Sequence, residues 1–165
     1  MNNKRLFNLQ QEMRSQRLDG IALIPGPNMY YISGIQSHSS ERPFILLVPA
    51  DGEPAIIIPN LEAMKAEAAG INPARIFAWT DTGGYNDAFR QAVAQLDLPS
   101  WRWGVEVFHM RVLEYELLHQ AAAGMQLTHA DPVLNALRMV KDEAEIAAME
   151  KAVAVAEKGL EALLP

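Results

Sequence analysis

The chain has 165 residues, of which 50% are hydrophobic and 21% charged, with a net charge of −6. One domain of this size buries roughly 70% of its unfolded surface, so folding requires neither a metal nor a disulfide. The absence of cysteine excludes disulfide staples, thiol nucleophiles and cysteine metal sites, and the acidic balance excludes a nucleic-acid-binding face.

No basic cluster exceeds Lys4-Arg5. No apolar run approaches the roughly 18 residues of a membrane span. The opening Met-Asn-Asn-Lys-Arg-Leu-Phe leads into polar residues instead of a signal-peptide core, so no membrane partner and a cytoplasmic location are expected.

In chain order, Leu6, Leu9, Met13 and Leu18 mark one side of a first helix, with Asp19-Gly20 as its stop because glycine accepts a left-handed cap. A strand from Ile21 to Ile24 follows and ends at Pro25-Gly26-Pro27-Asn28. Phe44 to Val48 and Ala55 to Ile58 are short apolar runs around a Pro/Asp/Gly turn, the pattern of a hairpin-like pair near the sheet centre. Leu61 to Ala69 reads as a helix closed by Gly70, and Arg75 to Trp79 as a strand. Asn86 to Leu96 is a helix with Phe89, Val93 and Leu96 inward. Trp103 to Phe108 alternates as a strand, and Arg111 to Ala123 is a helix capped by Gly124. This alternation predicts an α/β fold, a mixed sheet of five or six strands flanked by helices. The proline at 132 sets off a final helical region, which divides the chain into a domain over 1–131 and a linker over 132–165.

In that last region Asp142, Glu143 and Glu145 place negative charge in a first helical turn. Ile146, Met149, Val153, Ala156, Leu160 and Leu164 then recur at three- and four-residue steps. One face of this helix wants a partner, although an ordinary amphipathic terminal helix has the same pattern.

Catalytic sets are sparse. His38, His109, His119 and His129 lack the spacings that bring imidazoles to one metal, and structural positions at helix ends or in loops account for the last three. Ser33, Ser37, Ser39 and Ser40 crowd one loop with His38 but show no third group for a nucleophilic triad. Thr82-Gly83-Gly84-Tyr85 lacks the lysine of a phosphate loop and reads as a turn. Trp79, Trp101 and Trp103 read as packing beside strands, not as a stacking platform.

Two motifs carry a resemblance. Asn28-Met29-Tyr30-Tyr31-Ile32-Ser33-Gly34-Ile35 resembles the Asn-x-x-Tyr-Leu-[Thr/Ser]-Gly-Phe element of the creatinase/prolidase/aminopeptidase P metallopeptidases, with Ile32 and Ile35 as departures. Leu137, Arg138, Lys141, Glu145, Ile146 and Met149 resemble the Leu-Arg-x-x-Lys-x-x-x-Glu-Ile-x-x-Met run that joins that family's N-terminal and catalytic domains. The resemblance implies the family's N-terminal α/β domain, with its ribonuclease H-like motif, plus a C-terminal linker helix, so that 132–165 is expected to hold the linker and the first helix of the catalytic domain. It implies no cofactor within this chain and two divalent ions, Mn, Co or Zn, bound by a catalytic domain beyond residue 165. The implied function is a non-catalytic part of a Xaa-Pro dipeptidase or aminopeptidase P-like enzyme acting on peptide substrates. A creatinase-like amidinohydrolase, or a binding module of the kind found in a histone chaperone subunit, are the alternatives.

The polar stretch Gln36 to Pro43 lies between the first motif and a buried strand, where a scaffold can present side chains. In the resembled family the corresponding loop reaches the active site of the dimer partner. By that resemblance His38 and Arg42 are the substrate-binding residues, supported by Tyr31, and a homodimer is expected. The plainer alternative is an exposed loop in which Arg42 pairs with Glu41 or solvent.

Overall fold

The computed structural model describes residues 1–96 and 102–163. Six strands form one sheet in the order β4-β3-β2-β1-β5-β6: β1 Gly20–Leu23, β2 Ile45–Pro49, β3 Ala55–Pro59, β4 Ile76–Trp79, β5 Arg102–Val105 and β6 Gln126–His129. The two central runs expected as a hairpin are one, with Ile45 opposite Ile57 and Leu46 opposite Ile56. Period-two alternation divides the core between the sheet's two faces. Ile21, Leu23, Leu46, Val48 and Ile56 point to one face, under α1 (Asn3–Ser15), α2 (Pro27–Ser33), α3 (Ala63–Ala68) and α6 (Asp131–Met139). Ala22, Ile45, Leu47, Ile57 and Trp103 point to the other, under α4 (Asn86–Leu96) and α5 (Val112–Ala121). The fold is therefore a mixed six-stranded sheet flanked by helices on both faces.

Several local expectations need correction. The α1 helix ends at Ser15, and Arg17, with φ of 56°, takes the left-handed position expected of Gly20. Gly20 instead opens β1 opposite Trp103, and a Cβ there would lie 2.6 Å from the indole ring. The close approach of two strands, not a helix cap, requires the glycine. Strand β5 stops at Val105, and Phe108 is 86% exposed, because the chain turns at Glu106 through amides of His109 and Met110 that donate to its carbonyl. The α5 helix ends at Ala121 with Ala122 as its cap, so Gly124 does not cap it. The predicted helix from Leu61 divides into a 3-10 turn over Asn60–Glu62 and α3, with Gly70 left-handed as expected at φ of 77°. Strand β6 is additional; its exposed-to-intermediate Gln-Leu-Thr-His sequence has no apolar run to signal it. Trp101 and Leu164 lie outside the described residues.

The segment after Ala130 joins the core before it leaves it. Pro132 sits in the first turn of α6, where its missing N–H is harmless, and Val133 and Leu134 are buried with Leu9 and Met13. The final helix, α7 (Glu143–Glu161), begins with a capping box. Asp142 accepts from the Glu145 amide at 2.9 Å, and Glu145 accepts from the Asp142 amide at 2.9 Å. No described residue of α7 is buried; Ile146, Met149, Val153 and Leu160 form an exposed apolar stripe.

Candidate functional site

Strand directions bring the candidate side chains to one edge. β1 runs antiparallel to β2, β2 antiparallel to β3, and β4, β5 and β6 each parallel to a neighbour, so five strands point the same way and β2 alone opposes them. The carboxyl ends of those five strands and the amino end of β2 form a single rim, the usual position of ligand sites in open α/β sheets. The 36–43 loop, Asp81, Glu106, Arg111 and His129 all follow from it.

The loop is held from several sides. Ser37 donates to Glu62 at 2.9 Å, Lys65 to the Gln36 carbonyl at 3.3 Å, and the buried Trp79 indole N–H to the Pro43 carbonyl at 3.0 Å. Arg111 donates to the Ser40 carbonyl while its other guanidinium nitrogens grip Glu114, a carboxylate only 1% exposed. These hydrogen bonds tie the loop to Glu62 and Lys65, to β4 through Trp79, and to Arg111.

His38 and Arg42 share this loop but differ in how free they are. His38 is exposed, with Glu62 as a charged neighbour. Burial pushes the Glu62 carboxyl upward, but hydrogen bonds from Lys65 and Ser37 outweigh it and leave the group below the ordinary range. Arg42 is engaged: Nε and Nη2 donate to the two oxygens of Asp81 at 3.0 and 2.9 Å, and Nη1 donates to Glu41 at 3.1 Å. The fork grip by Arg42 draws the Asp81 carboxyl below its usual range. Both the pairing with Glu41 weighed from the sequence and a second, bidentate partner are thus present. Asp81 had no sequence signal, since it lies 39 residues away on the β4 rim.

Tyr31 belongs to a different group. Arg5 lies 4.0 Å over its ring and Arg138 5.7 Å away, and Arg5 also donates to the Tyr31 carbonyl at 3.2 Å and to Glu145 at 3.3 Å. Burial, and then the Glu145 charge, raise the Tyr31 hydroxyl above its ordinary pKa. Among the described residues no hydrogen bond or ring contact joins Tyr31 to His38 or Arg42. What the structure brings together instead are the two sequence motifs: Arg138 of the second donates to Asn28 of the first at 2.6 Å. Glu106 completes the group, accepting from Asn28 at 2.7 Å and from the Ile24 amide at 3.3 Å. Its one sequence signal is a carboxylate within the apolar run Val105-Glu106-Val107.

Among the described residues no three His, Asp or Glu side chains converge as a metal would need. The residues present do not fit the two ions that the resemblance implies for the whole enzyme.

Sheet order, helix placement and the Asn28–Arg138 junction define an α/β domain followed by a helix none of whose described residues is buried. The chain belongs to the Creatinase/Prolidase N-terminal domain family, whose model matches residues 5–140. It is 33% identical over 147 residues to the probable dipeptidase PepE of Mycobacterium tuberculosis, covering 86% of this chain and 37% of that protein. Among solved structures it resembles a dipeptidase from Pyrococcus horikoshii OT3, with a TM-score of 0.84, 26% identity, and coverage of 96% of this chain and 43% of that one. The N-terminal domain of a Xaa-Pro dipeptidase from Lactobacillus brevis shares the fold, with a TM-score of 0.70 and 18% identity, covering 82% of this chain and 99% of that domain. The chain spans well under half the length of the curated relatives it matches.

Proposed function

We propose that this domain is the non-catalytic N-terminal part of a Xaa-Pro dipeptidase or aminopeptidase P-like metallopeptidase, and that it covers the active site and supports a homodimer. The observation that carries the reading is the match to the N-terminal portion of dipeptidases. The pinned rim loop is consistent with it. In this reading the chemistry is supplied by two divalent ions, Mn, Co or Zn, held in a separate catalytic domain, and the domain boundary falls in the turn at 140–142, after the last core contacts of α6 and before the exposed α7.

Arg42 then receives the substrate carboxylate on its Nη1–Nη2 edge, where it takes the place of the exposed Glu41 carboxylate at Nη1, because Asp81 occupies the Nε–Nη2 edge and holds the guanidinium in place. His38, exposed on the same loop, reaches the substrate alongside it. Tyr31 acts from the junction, by holding Arg5 and Arg138, and not from the loop.

The test is an assay of the complete polypeptide that carries this domain, loaded with Mn²⁺ and offered Gly-Pro and creatine in parallel. Hydrolysis of Gly-Pro with creatine untouched supports the proposal. Creatine turnover without added metal assigns the protein to the amidinohydrolases, and inertness toward both leaves a binding module.

A further inference from the structure

Glu106 follows β5 directly and is only 3% exposed, yet neither of its hydrogen-bond partners is a cation. A buried carboxylate is ordinarily paired with one, because desolvation penalises the charge. His109 and Asp131 are its charged neighbours, and they act in opposite directions. What a carboxylate provides that a neutral amide does not is two oxygens that accept and never donate.

That polarity passes along a chain of contacts. Asn28 has one donor end and one acceptor end; Glu106 takes the donor end at 2.7 Å, so the acceptor Oδ1 is turned to Arg138, 2.6 Å away. Arg138 closes α6, just before the turn that leads into α7. Across the Tyr31 ring stands Arg5, which pairs with Glu145 in the first turn of α7. Since no described residue of α7 is buried, that first turn is where the helix is held.

We infer that Glu106 is a positioning residue for α7: by fixing which way the Asn28 amide faces, it secures Arg138 and the turn from which the helix leaves the domain. This goes beyond the proposed function and concerns only the chain's own residues. Burial pushes the Glu106 carboxyl above its ordinary range, while the hydrogen bonds it accepts from Asn28 and the Ile24 amide work against that shift and favour its acceptor form. Accepting the Ile24 amide alone does not require a carboxylate, since a glutamine oxygen does the same.

The test uses that difference. In Glu106→Gln the new amide oxygen serves Ile24, its NH₂ faces the NH₂ of Asn28, and Asn28 turns over to present a donor to Arg138. Asn28→Asp alone opposes two carboxylates. Combined, the two substitutions restore acceptors facing both the new amide and Arg138. Backbone amide exchange over residues 141–146 of the full chain, followed by mass spectrometry with Tm recorded in parallel, reads the outcome. Each single variant is expected to exchange about tenfold faster there, the factor for losing a hydrogen bond to a charged group, and the double variant to return toward the wild-type rate. An unchanged rate in Glu106→Gln, or a double variant as fast as the singles, overturns the inference. Arg138→Ala guards against misfolding of the core variants: it should speed exchange over the same residues at unchanged Tm, and no effect there also overturns it.

Discussion

Replacing Gly20 by alanine probes the strand contact on which this rim depends. The added Cβ would lie 2.6 Å from Cε2 and Cζ2 of Trp103 and 2.9 Å from Cη2, whereas carbon atoms rest about 3.5–4.0 Å apart, so ring and strand must separate by about 1 Å. Trp103 is fully buried, so the ring has no solvent to turn into. Gly20 has no positive φ, and backbone strain therefore adds nothing. Overpacking of this kind costs about 1–3 kcal/mol, and at about 2–4 °C per kcal/mol for a chain of this size Tm should fall by about 2–12 °C. Urea unfolding followed by circular dichroism measures the loss directly. Trp103→Phe, which shortens the ring at the point of collision, should recover part of it in the double variant. Because Gly20 and Trp103 are register partners in the β1–β5 pair that sets Ile24 against Glu106, the alanine should also speed exchange in the 140–142 turn. Gly159, with nothing within 4 Å of its Cβ, is the control, and its alanine variant should be neutral or mildly stabilising. A Gly20→Ala protein as stable as wild type would falsify the packing argument.

Other outcomes follow from the same structure. The folded state binds a proton at Glu106 more tightly than the unfolded chain does, so this group stabilises the fold below the unfolded glutamate pKa of about 4.3 and loses that contribution as pH rises through its higher folded value. The stability of Glu106→Gln relative to wild type should therefore increase with pH across that window, and a difference independent of pH in urea titrations contradicts it. Deleting residues 142–165 should leave the Tm of the domain nearly unchanged, because no described residue of α7 is buried and the partly exposed Arg5–Glu145 pair joins it to the domain, while removing self-association through its apolar stripe. Light scattering that finds the same oligomer before and after deletion places the contact elsewhere. Calorimetric titration of this chain with Mn²⁺ should reveal no stoichiometric micromolar site, and finding one would mean that ligands converge in a way the described residues do not.

The sheet was legible where burial writes a pattern into the chain. Ile45 to Val48 and Ala55 to Ile58 are apolar on both faces because helices cover both, and the Asn86 to Leu96 helix shows its inward Phe89, Val93 and Leu96 at helical spacing. Strand β6 was not legible, since an edge strand that only partly covers Leu127 and Thr128 needs no apolar run. Gly20 was misread because a glycine after a helix looks the same whether it serves a cap or a close strand approach. The motif residues were found, but their roles were not: Asn28, Arg138 and Glu145 meet only in three dimensions, over separations of 110 and 140 residues, through Arg5 and Tyr31. Arg42 was visible as a candidate, whereas its partner Asp81 comes from another strand end and depends on sheet order, which periodicity does not encode.

The central claim, that the rim loop serves a peptidase active site, is tested most directly by amidating the substrate carboxylate. In the complete polypeptide, kcat/KM is measured for a Xaa-Pro dipeptide and for its C-terminal amide, with wild type and with Arg42→Ala, metal content being checked in both. If Arg42 holds that carboxylate, amidation penalises wild type more than the variant, and the ratio of the two substrates contracts in Arg42→Ala. An equal loss on amidation in both proteins would show that Arg42 serves only its ion pairs with Asp81 and Glu41, and would contradict the account.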